Sequence, residues 1–205
     1  MPLVTDMEWN EFVAKVLAIS RIGLKFSKDP YALENYQELH ELAKQQLQEL
    51  DKTPDMSFPY QKDIYPTPNV SVRVLIFNDK NELLMGQERS DGAYAVPGGW
   101  CDLFESASES ALKEVLQETG LNVKIDKLVC ILRRDLYREY VSLISEYVIY
   151  FKATVLSGEL RNNHEILNLG YFPLDALPPL SRKMTSKELW KALDVVLNQT
   201  DVYFD

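Results

Sequence analysis

Glu114 and Glu118 stand four residues apart in the stretch VPGGWCDLFESASESALKEVLQETGLNV, residues 96–123. On a helix that spacing places two like charges on one face, where they repel by about 0.2–0.5 kcal/mol if exposed. A hard divalent cation such as Mg²⁺ removes the repulsion, because it takes oxygen ligands and completes its shell with waters and substrate phosphates. The turn Pro97-Gly98-Gly99 just upstream can aim a backbone carbonyl at the same ion, since glycine permits close approach of the main chain. Water acidified by such an ion is a nucleophile for phosphorus. The residue types and their spacing therefore point to metal-assisted phosphoryl chemistry.

At about 100° per residue, a helix over 106–118 sets Glu114 and Glu118 on one stripe with Ala107 and Ala111. Leu112, Val115 and Leu116 form the adjoining apolar face, and Gln117 lies to the side, within reach of the carboxylates. Lys113 pairs either with Glu109, four residues before it, or with Glu105.

This stretch resembles the signature of the Nudix hydrolases, with Gly99, Glu105, Glu114, Val115, Glu118, Gly120 and Leu121 in register. Two positions depart from it: Lys113 replaces the family's Arg, and Gln117 replaces the first Glu of its acidic pair. Lys carries a point charge and lacks the bidentate fork, so a looser brace toward Glu105 is expected. Gln117 offers an amide oxygen without charge, which implies fewer or weaker metal sites. The resemblance implies an α+β fold, a Nudix-type α/β/α sandwich with a mixed sheet, that cleaves a nucleoside diphosphate linked to a further group X. By the same resemblance Glu114, Glu118 and the Gly98 carbonyl hold Mg²⁺ or Mn²⁺. Gly99, Glu105, Lys113, Gln117 and Gly120 then form the scaffold of the motif.

The general base of this family comes from the motif or from a distal loop. In 157–168 the candidates are Glu159 and Glu165. Glu165 is favoured, because it closes the polar loop directly before Ile166 and Leu167. Arg89, and Arg133 or Arg134, have the planar fork that suits phosphate oxygens. Trp100 and Tyr94 flank the glycine turn and suit stacking on a base.

The elements that must position these residues follow from pattern. Residues 5–27 read as a helix with Thr5 and Glu8 as a capping box and Trp9, Phe12, Val13, Val16 and Leu17 at helical spacing. Asp29 and Pro30 open a second helix to about Leu50, striped by Tyr36, Leu39, Ala43, Leu47 and Leu50. Four prolines in 51–69 mark a linker. The expected division is a helical N-terminal module, 1–60, and a catalytic domain, 61–205. Two such helices cannot bury both stripes unaided, so a homodimer, or a cover over the substrate, is expected. The module resembles that of a bacterial Nudix subgroup that includes CDP-choline and ADP-ribose pyrophosphatases. That resemblance implies CDP-choline first and ADP-ribose next, with an RNA 3′-exonuclease side activity conceivable at the same centre.

In the second part, Val70, Val72, Val74 and Ile76 alternate, Asn78–Asn81 supplies a turn, and Leu83–Arg89 reads as the returning strand of a hairpin. Leu121–Tyr137 and Leu143–Leu156 read as strands, Gly158–Glu165 as a polar loop, and Thr185 with Glu188 opens a last helix through Leu197.

The formal charge of −9 argues against a general nucleic-acid binder, which shows a basic face. Cys101 and Cys130 make neither a disulfide framework nor a metal pattern. The start of the chain lacks a basic region followed by an apolar run, and no stretch of eighteen apolar residues occurs. A cytoplasmic location without a membrane span is expected. The alternative reading, motivated by Gln117, is a non-catalytic nucleotide sensor on the same fold.

Overall fold

The computed structural model describes residues 9–50, 68–138 and 146–205. The chain separates into two compact units, Met1–Pro66 and Thr67–Asp205. In the first, α1 (Trp9–Phe26) precedes α2 (Pro30–Leu50). Asp29 caps α2: its Oδ1 accepts from Ala32 N at 2.9 Å, and Pro30 at the first helical position loses no bond by lacking an N–H. Val13, Leu17 and Ala43 form a small core. Gly23 makes room for the Tyr36 ring, which a Cβ would meet at 2.3 Å. Trp9, Phe12, Ile19, Ile22, Phe26 and Leu42 remain exposed. The Thr5/Glu8 capping pattern, the prolines at 54, 59 and 66, and the side chains of Leu47 and Leu50 lie outside the described residues.

The second unit runs β1 (Asn69–Ile76), β2 (Leu83–Glu88), β3 (Tyr94–Ala95), α3 (Ala107–Thr119), β4 (Leu121–Arg133), β5 (Glu146–Gly158), β6 (Ile166–Phe172), α4 (Ser186–Leu197) and β7 (Tyr203–Phe204). A mixed four-stranded sheet has the order β1-β5-β4-β7, and a three-stranded sheet the order β3-β2-β6. β1 runs parallel to β5 and β4 antiparallel to it. From Ser71 to Ile76 every residue of β1 is buried, so its period-two pattern sorts two cores rather than core from solvent. Val72, Val74 and Ile76 pack with Ala111 and Val115 of α3. Leu75 packs with Leu189, Ala192 and Leu193 of α4. The two helices thus cover opposite faces of the sheet, the α/β/α layering with a mixed sheet that the resemblance implies. Thr185 caps α4, its Oγ1 accepting from Glu188 N at 3.1 Å.

Three sequence expectations need correction. β1 and β2 are not partners in a hairpin; they lie in different sheets and meet through the single bridge Phe77–Leu83. The Asn78–Asn81 turn does form, its Asn78 Oδ1 accepting from Lys80 N and Glu82 N at 3.0 Å each, but it hands the chain from one sheet to the other. β2 pairs instead with β6, a strand that sequence reading passed over because Asn168 and Gly170 interrupt its apolar run and most of it is only partly buried. The strand expected to reach Tyr137 stops at Arg133, and Arg134–Tyr137 turn into a short 3₁₀ segment. The break follows from Arg134, whose guanidinium turns inward to Glu146 and Glu188. The expected start of the next strand at Leu143 lies outside the described residues.

Cys130 is buried, Cys101 is half-buried, and neither is bonded to the other. Among the described residues no helix is long and apolar enough to cross a membrane.

Candidate active site

α3 is fixed at both ends by local chemistry. Ser106 and Glu109 form a complete capping box, and Gly120 closes the helix in the left-handed region at φ +77°, its N–H donating to Leu116 O. Ala111 and Val115 are buried against the sheet. Leu112 and Leu116, expected on the apolar face, are 37% and 45% exposed; the buried face is instead Ser110, Ala111, Val115, Glu118 and Thr119. A carboxylate has taken a place that periodicity gave to leucine.

What receives that carboxylate is the Pro97-Gly98-Gly99 turn. The turn lies along β1: Val74 N donates to Pro97 O at 2.9 Å and Val72 N to Gly99 O at 2.8 Å. Pairing of the residues on either side leaves the Gly98 carbonyl outside this ladder. Gly98 has φ +146°, and a Cβ on it would lie 2.1 Å from Val72 O, so only glycine fits. Its N–H donates to Glu118 Oε2 at 2.9 Å. At Gly99 a Cβ would meet Glu114 Oε1 at 2.5 Å. Both carboxylates therefore rest against the same turn, one on each glycine.

Burial pushes the Glu118 carboxyl up to about 7; the Gly98 N–H opposes the rise, and Glu114 adds to it. Glu114 is raised too, first by burial, with Lys113 and Arg73 pulling it down and Glu165 pushing it further up. A buried acid and a partly buried one against the same turn are poorly satisfied as anions. Among the described residues no three His, Cys, Asp or Glu side chains converge into a metal cage. The two carboxylates that rest on the glycine turn fit an ion such as Mg²⁺, which binds through one or two carboxylates and leaves the remaining positions to water and phosphate.

Lys113 resolves its alternatives toward the loop. Its Nζ contacts Asp102 and lies 2.6 Å from Glu105 Oε2, while Glu109 is taken by Ser106. Glu105 also accepts from Ser110 Oγ at 3.2 Å, so the loop before α3 is tied to its first turns. Gln117 is exposed, and its backbone carbonyl accepts from Asn163 Nδ2 at 2.8 Å. A Cβ on Gly120 would meet Glu159 O at 2.6 Å.

Those last contacts dock the 159–165 loop onto the end of α3. Asn163 Oδ1 accepts from both Glu165 N and Ile166 N at 2.7 Å. Arg89 N donates to Glu165 O, and Arg89 Nε to His164 O, each at 2.8 Å. Glu165 is thus exposed on a loop fastened at several points, with its charge felt at Glu114; Glu159 is exposed earlier in the same loop. Arg89 serves this loop with its guanidinium. Arg133 is exposed at the end of β4, where its N–H bonds Asp205. Arg134 lies in a buried cluster with Glu146 and Glu188, at 3.0 and 3.1 Å. Trp100 is half exposed beside the turn, and Tyr94 packs edge-on against Phe172. Sequence reading missed Asn163, Arg73 and Lys183. A loop Asn two residues before the favoured acid was a signal for the first; the others carry none, because they approach the site from β1 and from the loop before α4.

Residues 67–193 match the family described as the NUDIX domain, and residues 7–55 match the one described as UDP-X-like, N-terminal oligomerisation domain. The chain is 30% identical over 188 residues, 86% of each chain, to a Bacillus subtilis (strain 168) protein provisionally named ADP-ribose pyrophosphatase YjhB. It is 28% identical over 123 residues, 58% of this chain and 69% of the relative, to the ADP-ribose pyrophosphatase of Methanocaldococcus jannaschii. Among solved structures, a UDP-X diphosphatase superposes with a TM-score of 0.66 at 26% identity, covering 95% of this chain and 96% of that one. An ADP-ribose pyrophosphatase from Streptococcus suis 89-1591 superposes with a TM-score of 0.59 at 32% identity, covering 68% and 100%.

Proposed function

The chain belongs to the Nudix family, and from that premise we propose that this Nudix hydrolase cleaves the diphosphate bridge of a nucleoside diphosphate linked to a group X, giving a nucleoside monophosphate and X-phosphate. The observation that carries the reading is the placement of Glu114 and Glu118 against Gly99 and Gly98. Glu114, Glu118 and the Gly98 carbonyl are the groups that would hold the divalent ion, Mg²⁺ or Mn²⁺. When bound, that ion polarises the phosphoryl oxygens and offsets the charge that develops on them. Gln117 lends no charge to it, which limits the number of ions held. Lys113, by holding Asp102 and Glu105, keeps the loop between the glycine turn and α3 in place.

Glu165 accepts the proton of the water that attacks phosphorus. The new P–O bond forms as the bridging P–O bond breaks, and the bridge oxygen leaves on the other phosphate. Its support is the loop geometry: Asn163 and Arg89 fasten the backbone on both sides of the carboxylate. The exposed apolar face of α1 and α2, together with the match to an oligomerisation domain, supports a homodimer formed through the helical module.

The names of the relatives favour ADP-ribose and UDP-linked compounds as substrates, and the first substrate panel is ADP-ribose, UDP-sugars, CDP-choline and a short RNA, each with Mg²⁺ and with Mn²⁺. Turnover of at least one nucleoside diphosphate derivative is expected, and Glu118→Gln should remove most of it without unfolding the protein. Wild-type turnover in that variant would refute the assignment. Tight binding of ADP-ribose with no product after long incubation would favour the sensor reading instead. Glu165→Gln should lower kcat by about 10²–10⁴ if the loop acid is the base.

A further inference from the structure

Lys183 lies on the loop before α4, outside every motif of the sequence. Its carbonyl accepts from Arg73 Nη2 at 3.0 Å, and its Nζ lies 2.7 Å from Glu88 Oε2. Arg73 sits on β1 between Val72 and Val74, the two residues that hold the glycine turn. The approach there is close: a Cβ on Gly98 would lie 2.9 Å from Arg73 Cα. Gly98 in turn holds Glu118. A continuous set of contacts thus runs from Glu118 through the turn and Arg73 to Lys183 and Glu88.

The members of this set differ in exposure. Arg73 and Glu88 are 5% and 4% exposed, whereas the Lys183 side chain is 37% exposed. Arg73 spends Nη1 on Val72 O and Nη2 on Lys183 O, and its buried Nε has no hydrogen-bond partner. It is a fixed cation. Lys183 has three N–H donors, of which the contact with Glu88 uses one. The charges of both cations act on Glu118, and that of Arg73 acts on Glu114 as well. Lys113 is committed to Asp102 and Glu105, and Arg134 to Glu146, Glu188 and the same Lys183 carbonyl.

We infer that Lys183 is a substrate-contacting residue that binds a phosphate of the diphosphate bridge, with Glu88 and Arg73 positioning it. The inference rests on the hydrolase reading above and deepens it. A diphosphate held at Glu114 and Glu118 brings further negative charge to a place already rich in it, and one divalent ion does not balance the whole. A lysine with free donors, carried by a loop that Arg73 ties to the β1 strand under the turn, supplies the difference. Glu88 restrains the flexible lysine stem, so less conformational freedom is lost when phosphate binds.

The test uses Lys183→Met, the double variant Glu88→Gln/Lys183→Met, and Lys183→Arg. The double variant matters because Lys183→Met alone leaves a buried carboxylate unpaired. Two quantities are read in Mg²⁺: KM and kcat on the best substrate of the panel, and the affinity of inorganic pyrophosphate by calorimetry. Both Met variants should raise KM and weaken pyrophosphate binding by about tenfold or more, the scale of a charge-assisted hydrogen bond, with a smaller change in kcat. Lys183→Arg should return both values to within a few fold of wild type. Pyrophosphate affinity and KM within twofold of wild type in the double variant would overturn the role of Lys183 while leaving the hydrolase reading intact. Full turnover in Glu118→Gln would instead overturn the parent reading, and this inference with it.

Discussion

Gly99→Ala should separate catalysis from stability, because the space the new methyl needs is occupied by the Glu114 carboxylate, which we propose holds the metal, rather than by backbone. The Gly99 φ is not in the left-handed region, so alanine meets no conformational barrier. Its Cβ would lie 2.5 Å from Glu114 Oε1 and 2.7 Å from Cδ. The carboxylate must retreat by about 1 Å to reach ordinary contact. It sits at the end of a flexible side chain, so the retreat costs the fold less than about 1 kcal/mol. A displacement of about 1 Å in a reacting constellation, however, costs on the order of 10² in rate, or about 2.7 kcal/mol of barrier. Gly98→Ala makes the contrast: φ +146° and a backbone oxygen at 2.1 Å force the turn away from β1, and about 1–3 kcal/mol or more of stability should be lost. The assay is steady-state hydrolysis in Mg²⁺ beside thermal denaturation of both variants. The reasoning fails if Gly99→Ala keeps wild-type kcat/KM, or if its thermal midpoint drops as far as that of Gly98→Ala.

The raised Glu118 carboxyl, about 7 against 4.5 in the unfolded chain, binds its proton more tightly when folded. Its contribution is present below pH 4.5 and is lost as pH rises from 4.5 to 7, a difference on the order of a few kcal/mol. In EDTA, the wild type should therefore lose more of its thermal midpoint between pH 5 and 7.5 than Glu118→Gln does, and Mg²⁺ should raise the midpoint at pH 7.5 in the wild type more than in the variant; equal slopes and equal metal responses would contradict the placement of this acid. Arg134→Met removes the cation paired with buried Glu188 and one of the two paired with buried Glu146, which keeps Arg138, leaving the Glu188 charge uncompensated at a cost of about 3–5 kcal/mol. Its thermal midpoint should drop by roughly 10 °C, and a drop under 3 °C would show that the cluster opens to water.

Much of the site was legible because it is local. Two glutamates one turn apart, and the Gly120 that follows them, are properties of a thirteen-residue helix and its end. The helical period gives them directly. Asp29 before Pro30 and Thr185 before Glu188 were legible for the same reason, since a cap needs only the residues within its own turn. Where local pattern misled, a distant partner had intervened. Leu116 gave up the buried face to Glu118 because the Gly98 N–H, twenty residues upstream in sequence, receives that carboxylate. β2 left its sequence neighbour for β6, more than seventy residues on, because β1 is filled on both faces and on its edge by β5 and the glycine turn.

The sequence by itself determined the helices, the caps at Asp29 and Thr185, the family signature and the pair of acids, since each depends on interactions spanning a few residues. Tertiary structure alone decided that Lys113 takes Glu105 rather than Glu109 and adds Asp102, that Arg134 is buried among acids, and that the charges of Arg73 and Lys183 reach Glu118 from β1 and from the loop before α4. Those outcomes depend on which strands lie side by side, and strand pairing is settled by the burial of whole faces, which no short window of sequence contains.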